Sequence, residues 1–174
     1  MPSPVITIFG SATICPEDVE YGKALEFGKC LGDNGFSVCS GGYGGSMEAV
    51  SRGAREAGAR TIGITLKTAK SKANPWIQKE IKAATWQQRL FRLIEKGDAY
   101  VVFDGGTGTL VELFTVWEMM NKLKMKKPMI ILGEFSRTLM GFLKKNPLMI
   151  FNPLIECVST PQEAVAALVR WKSA

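Results

Sequence analysis

The sequence predicts an α/β fold: a Rossmann-like, doubly wound parallel sheet in a three-layer α/β/α arrangement. Three observations carry this. Short, continuously apolar runs such as 4-PVITIFG-10, 60-RTIGITL-66 and 99-AYVVF-103 alternate with longer stretches of helical periodicity. Strands covered on both faces read this way, whereas a half-solvated antiparallel strand would alternate apolar and polar residues. Three of the strands run into small, hydroxyl-rich turns, 10-GSAT-13, 40-SGGYGGS-46 and 104-DGGTGT-109. Repeated strand–turn–helix units build a parallel sheet with helices on both faces.

Taken in order, 4–10 is a buried strand, and 17–35 is a helix stopped by Asn34-Gly35. A second strand at 36–40 leads through the glycine turn into a helix at 45–58 that also ends on glycine. A third strand at 60–66 is followed by a polar, proline-containing loop at 67–76. The segment 77–84 alternates apolar and polar residues, which fits a short strand. A helix over 85–97 has Thr85 as its N-cap, because a threonine hydroxyl can accept from a first-turn N–H. Strand 99–103, helix 109–124 and strand 128–133 come next, and helices near 136–145 and 161–171 finish the chain.

The 174 residues form one domain, 1–174, with 46% hydrophobic and 22% charged residues, ordinary for a globular chain. Net charge is +6 with a pI near 9.2, consistent with an anionic small ligand. The cluster 122-KLKMKK-127 reads as a solvated helix end, so no nucleic-acid partner is expected. Four cysteines without CxxC spacing and no histidine leave no zinc pattern and no Ser-His-Asp or Cys-His catalysis; no metal site is expected. Acid–base work falls to Asp, Glu, Lys, Tyr or Cys. The segment 1-MPSPVITIFG-10 lacks a signal-peptide pattern, and no apolar run is long enough to span a bilayer. A cytoplasmic location without membrane contact is the expectation.

In a parallel sheet the three turns share one edge. Each offers backbone N–H groups at a helix N-terminus, where the helix dipole favours an anion, and glycine lets a ligand approach. Ser11, Thr107 and Thr109 add hydroxyls. Neither G-x-G-x-x-G after the first strand nor a Walker A loop is present, which disfavours hydride transfer and ATP hydrolysis. Glu112, expected on the first turn of the helix behind the third loop, either complements the dipole or acts as acid, base or electrostatic stabiliser. Arg89 is either a surface ion-pair partner or a residue at the pocket edge.

The segment 104-DGGTGTLVE-112 resembles the P-G-G-x-G-T-x-x-E signature of the LOG ("Lonely guy") proteins, long described as lysine decarboxylases, and the family's upstream arginine falls on Arg89. The resemblance extends over 9-FGS-11, 41-GGYGGSMEAVSRGAREAG-58, 62-IGITLKT-68 and 127-KPMIIL-132, nearly the whole chain. It implies a phosphoribohydrolase that needs no cofactor, cleaves a nucleoside 5′-monophosphate to free base and ribose 5-phosphate, and forms a homodimer or higher homo-oligomer. It implies Arg89 and Glu112 as the catalytic pair and Gly105, Gly106, Thr107, Gly108 and Thr109 as the phosphate loop. Gly10, Ser11, Gly41, Gly42 and Gly45 would line the nucleotide site. Asp104 stands where the signature has proline; an acid there either points away or meets a ribose hydroxyl or metal, and it is counted with the ligand-binding residues. The usual H-E-R-K around the arginine is 87-QQRL-90, so an acidic neighbour is missing. The alternative is a non-catalytic carrier of the same fold that binds a nucleotide or molybdenum cofactor. Lysine decarboxylation is disfavoured, since no pyridoxal-specific motif is seen.

Overall fold

The computed structural model describes residues 3–70 and 72–173. Met1 and Pro2 of the first segment, Ser71 of the 67–76 loop and Ala174 lie outside the described residues. The elements run β1 (Val5–Phe9), α1 (Val19–Asp33), β2 (Ser37–Ser40), α2 (Ser46–Glu56), β3 (Thr61–Leu66), β4 (Lys79–Ala83) and α3 (Trp86–Lys96). They continue with β5 (Ala99–Val102), α4 (Thr107–Lys122), β6 (Met129–Ile131), α5 (Glu134–Leu143), β7 (Ile155–Cys157) and α6 (Pro161–Lys172).

The seven strands among the described residues are parallel, in the order β4-β3-β2-β1-β5-β6-β7. The predicted three-layer α/β/α fold is therefore present. The chain walks outward from β1 to β4, then returns to place β5 on the other side of β1. Crossovers of one hand put helices reached in opposite directions on opposite faces. Helices α1, α2 and α6 cover one face, where Phe27, Leu31, Val50, Ala54 and Leu168 pack on Ile6, Ile8 and Val101. Helices α3, α4 and α5 cover the other, where Leu93, Ile94, Leu113, Val116 and Met140 pack on Phe9, Tyr100 and Val102. Neighbouring residues of β1 and β5 thus feed opposite cores, which is why those strands are apolar at nearly every position.

One connection departs from the simple alternation. Among the described residues no helix joins β3 to β4. Strand β4 is the edge, and its sequence KEIKA carries charge on the exposed positions, which discourages further strand pairing. At the opposite edge β7 adds a strand that the sequence pattern does not predict: Met129, Ile130 and Ile131 pair with Ile155, Glu156 and Cys157. Among the described residues no helix is long and apolar enough to cross a membrane.

The order reverses between β1 and β5. The crossovers leave β1 and β5 in opposite directions there, which opens a crevice at their carboxyl ends.

Candidate functional site

Ser11, just past β1, joins all three turns. Its N–H donates to the Asp104 carbonyl at 3.0 Å, and its carbonyl accepts from the Ser46 N–H at 2.9 Å and the Ser46 hydroxyl at 3.0 Å. The Ser11 hydroxyl pairs with that of Thr13 at 2.9 Å and accepts from the Thr13 N–H at 3.0 Å. The turn after β2 is close-packed against this hub. A Cβ on Gly10 would strike the Ser46 hydroxyl, and one on Gly45, whose φ is +68°, would strike the Ser11 carbonyl.

The turn after β5 is different. Helix α4 begins at Thr107, with Gly106 as its N-cap and no side chain capping it. The Leu110 N–H makes the first turn's bond, to the Gly106 carbonyl at 3.2 Å. The preceding N–H groups have no partner inside the helix and carry its positive end. A Cβ on Gly106 or Gly108 would meet nothing within 4 Å, so this backbone is open to a ligand. Thr107 is exposed, whereas Thr109 is buried with its hydroxyl beneath Gly105.

Two expectations need correction. Because α4 starts at Thr107 and not at 109, Glu112 lies on its second turn, and α4 has no acid in its first turn. The dipole-complementing role does not apply to it. Asp104 leaves the set of ligand-facing side chains. Its carboxylate accepts from the Phe135 N–H at 3.0 Å and the Ser136 N–H at 2.9 Å, at the start of α5. It caps a neighbouring helix, and proline in its place could not do so.

Glu112 is half-buried, and desolvation pushes its carboxyl up to about 7, against the opposing pull of the Arg89 charge. The Arg89 side chain leaves the first turn of α3 and crosses the ends of β3 and β2. Its Nε donates to the Ile64 carbonyl at 2.7 Å and its Nη2 to the Gly41 carbonyl at 3.2 Å. Its guanidinium carbon lies 5.4 Å from the centre of the Tyr43 ring. Of the two readings for Arg89, the surface ion pair is not the one seen. Gln88 is engaged locally. Its side-chain oxygen accepts from the Ala84 N–H at 3.1 Å, while Thr85 caps α3 by accepting from the Gln88 N–H at 3.2 Å.

Tyr43 and Asn74 do not stand out in the sequence, yet both belong to the site. The Tyr43 hydroxyl accepts from the Leu66 N–H at 2.9 Å. Buried Asn74 donates its side-chain amide to the carbonyls of Gly42, at 3.2 Å, and Tyr43, at 2.8 Å. A tyrosine inside a glycine turn was the available signal for the first. Nothing local marks the second, which reaches the turn from the β3–β4 loop.

Over 97 residues, 54% of this chain and 52% of the relative, the sequence is 33% identical to a cytokinin riboside 5′-monophosphate phosphoribohydrolase of Mycobacterium tuberculosis. The chain thus spans about half the length of that relative. A molybdenum cofactor binding protein from Rippkaea orientalis superposes with a TM-score of 0.80 over 100% of this chain and 99% of its own, at 22% identity. The molybdenum cofactor carrier protein of Chlamydomonas reinhardtii superposes with a TM-score of 0.77 over 99% of both chains, also at 22% identity. These two likenesses concern the fold. The model of the SLOG cluster4 family matches residues 3–164, and this chain belongs to that LOG-like family.

Proposed function

We propose that this protein is a phosphoribohydrolase acting on a nucleoside 5′-monophosphate. The observation that carries the reading is the open, glycine-lined start of α4 with the half-buried Glu112 on the next turn, its carboxyl pushed up to about 7 by burial. The family relationship supports it. In this reading the 5′-phosphate sits on the open N-terminal turn of α4, where Thr107 also offers its hydroxyl. That contact fixes the ribose relative to the carboxylate.

Cleavage of the N-glycosidic bond develops positive charge on the ribose and negative charge on the leaving base. Ionised Glu112 stabilises the first and takes a proton from the water that attacks C1′. The C1′–N bond breaks, its electron pair goes to the base, and the base takes a proton from solvent water while the proton held by Glu112 returns to solvent. Arg89, held by backbone carbonyls, presents its remaining N–H groups to the sugar or to Glu112. No cofactor is required by this chemistry.

The test is direct. The purified protein is incubated with AMP and a panel of other nucleoside 5′-monophosphates, and free base is measured by chromatography. Wild type should release base, and Glu112→Ala should be slower by about 10²–10⁴-fold. The carrier reading is favoured by the near full-length superposition on molybdenum cofactor proteins. A pterin detected by mass spectrometry in the purified protein, with no base released from any monophosphate, would establish it instead.

The same reading includes a homodimer. Phe91 of α3 and Val111 and Phe114 of α4 are exposed and border a shared apolar depression of about 650 Å³. Sedimentation should show a dimer that Phe114→Glu weakens.

A further inference from the structure

We propose that Tyr43 is a positioning residue for Arg89, and that Asn74 holds Tyr43 in place. The inference deepens the phosphoribohydrolase reading, on which it rests for what Arg89 does once positioned. Arg89 is half-buried, and none of the ion pairs among the described residues includes it. Its hydrogen-bond partners are two carbonyls, with one aromatic ring nearby, and Glu112 acts on it through space without a direct ion pair. A guanidinium hydrogen-bonded only to neutral groups keeps its remaining N–H donors for a ligand. A carboxylate in direct contact would occupy those donors.

Two hydrogen bonds to one edge of the guanidinium leave it free to tilt about that edge. The Tyr43 ring, with the guanidinium carbon 5.4 Å from its centre, limits this tilt and adds cation–π attraction. Tyr43 suits this role because it is itself fixed at both ends. Its hydroxyl is tied to the Leu66 N–H at the end of β3, and its carbonyl to Asn74. Asn74 adds a second tie to the turn, its own N–H donating to the Gly42 carbonyl at 2.8 Å. Gly41 completes the arrangement, since any side chain there would collide with Arg89 Nη2. The β3–β4 crossover thereby reaches the site through Asn74, Tyr43 and Arg89 in sequence. Deleting the ring should loosen Arg89 while leaving the three turns joined at Ser11.

The experiment compares wild type with Tyr43→Phe and Tyr43→Leu, with Tyr43→Met as substitute if the leucine variant fails to fold. The first readout is the Arg89 Nε–H NMR resonance, identified by its loss in Arg89→Lys. Its exchange with water should be on the order of ten-fold faster in Tyr43→Leu and close to wild type in Tyr43→Phe, which keeps the ring. The second readout is AMP hydrolysis. Tyr43→Leu should lower kcat on the order of ten-fold with little change in KM. Combined with Arg89→Lys it should be no slower than Arg89→Lys alone. Unchanged exchange at Arg89 in Tyr43→Leu, or fully additive losses in the double variant, overturns the proposal. Absence of hydrolysis of every monophosphate by wild type overturns the phosphoribohydrolase reading instead, and the exchange measurement still decides the role of Tyr43.

Discussion

At the end of β2, the glycines are hemmed in by other parts of the protein; at the end of β5, Gly106 and Gly108 face open space. Around the first turn, Ser11, Thr65 and Arg89 occupy the places where the Cβ atoms of Gly45, Gly42 and Gly41 would stand. Neither helix start has a side-chain cap, but the first N–H of α2 is taken by the Ser11 carbonyl, and Gly106 and Gly108 at the start of α4 stand clear of other atoms. Both turns are glycine-rich, both follow a parallel strand and both open a helix. One uses glycine to bring the protein against itself, and the other uses it to leave room for something else. A glycine count therefore overstates the ligand-binding surface. The packing glycines build the floor on which Arg89 rests, and the open ones mark where an anion can reach backbone N–H groups.

The sharpest break in this contrast is expected at Gly45. Its φ of +68° and its approach to the Ser11 carbonyl leave no room for a methyl group. Gly45→Ala should cost about 2–3 kcal/mol in denaturant unfolding, because it combines a strained φ with a clash against backbone. A near-neutral result would mean that the turn after β2 is not the rigid partner of the pair.

Glu112 comes next, and the sign follows from its burial. Its folded carboxyl titrates near 7, above its ordinary value of 4.5, so the folded state binds more protons than the unfolded state between these values. Stability should fall as pH rises through that window, by on the order of 1–2 kcal/mol, less than the full equivalent of the shift because the residue is half-exposed. Glu112→Gln should remove that slope. In wild type, AMP hydrolysis should rise through pH ~7 as the carboxyl ionises, since the ionised form is the base. A rate that falls over the same range would assign Glu112 as an acid.

Asp104→Ala should cost about 1 kcal/mol through the lost cap on α5. AMP affinity should not change, as measured by calorimetry. A drop in affinity would return Asp104 to the ligand-binding side chains. The smallest effect is expected at Gly108. Gly108→Ala should stabilise the protein by about 0.5–1 kcal/mol, because alanine suits a helix and has space there, yet weaken AMP several-fold. Unweakened binding would move the phosphate away from this turn.

Much of this was legible in advance. The apolar runs of β1, β3 and β5 announced a sheet buried on both sides, and Thr85 announced the start of α3, because capping is a local hydrogen bond. Strand β7 was not legible. It is three residues long and largely exposed, too short to show periodicity, and it exists because β6 offers it a partner. The early start of α4 is hidden because Gly108 disfavours a helix on propensity alone, while the turn geometry admits it. Arg89 and Glu112 are identifiable through the LOG resemblance, and residue type by itself leaves each with a bland reading.

What the sequence determined by itself was the alternation of strands and helices, the three turns on one edge and the excess of positive charge. Those depend on short-range pattern, which a linear chain carries openly. The tertiary structure decided the roles. Asp104 turns to α5, Gln88 turns back to its own helix start, and Arg89 settles on carbonyls of β2 and β3 under Tyr43. For Asp104 and Arg89 the outcome is set by which polar groups, distant in sequence, lie within about 3 Å once the sheet is assembled. That distance is a property of the packed sheet and does not exist in the chain before it folds.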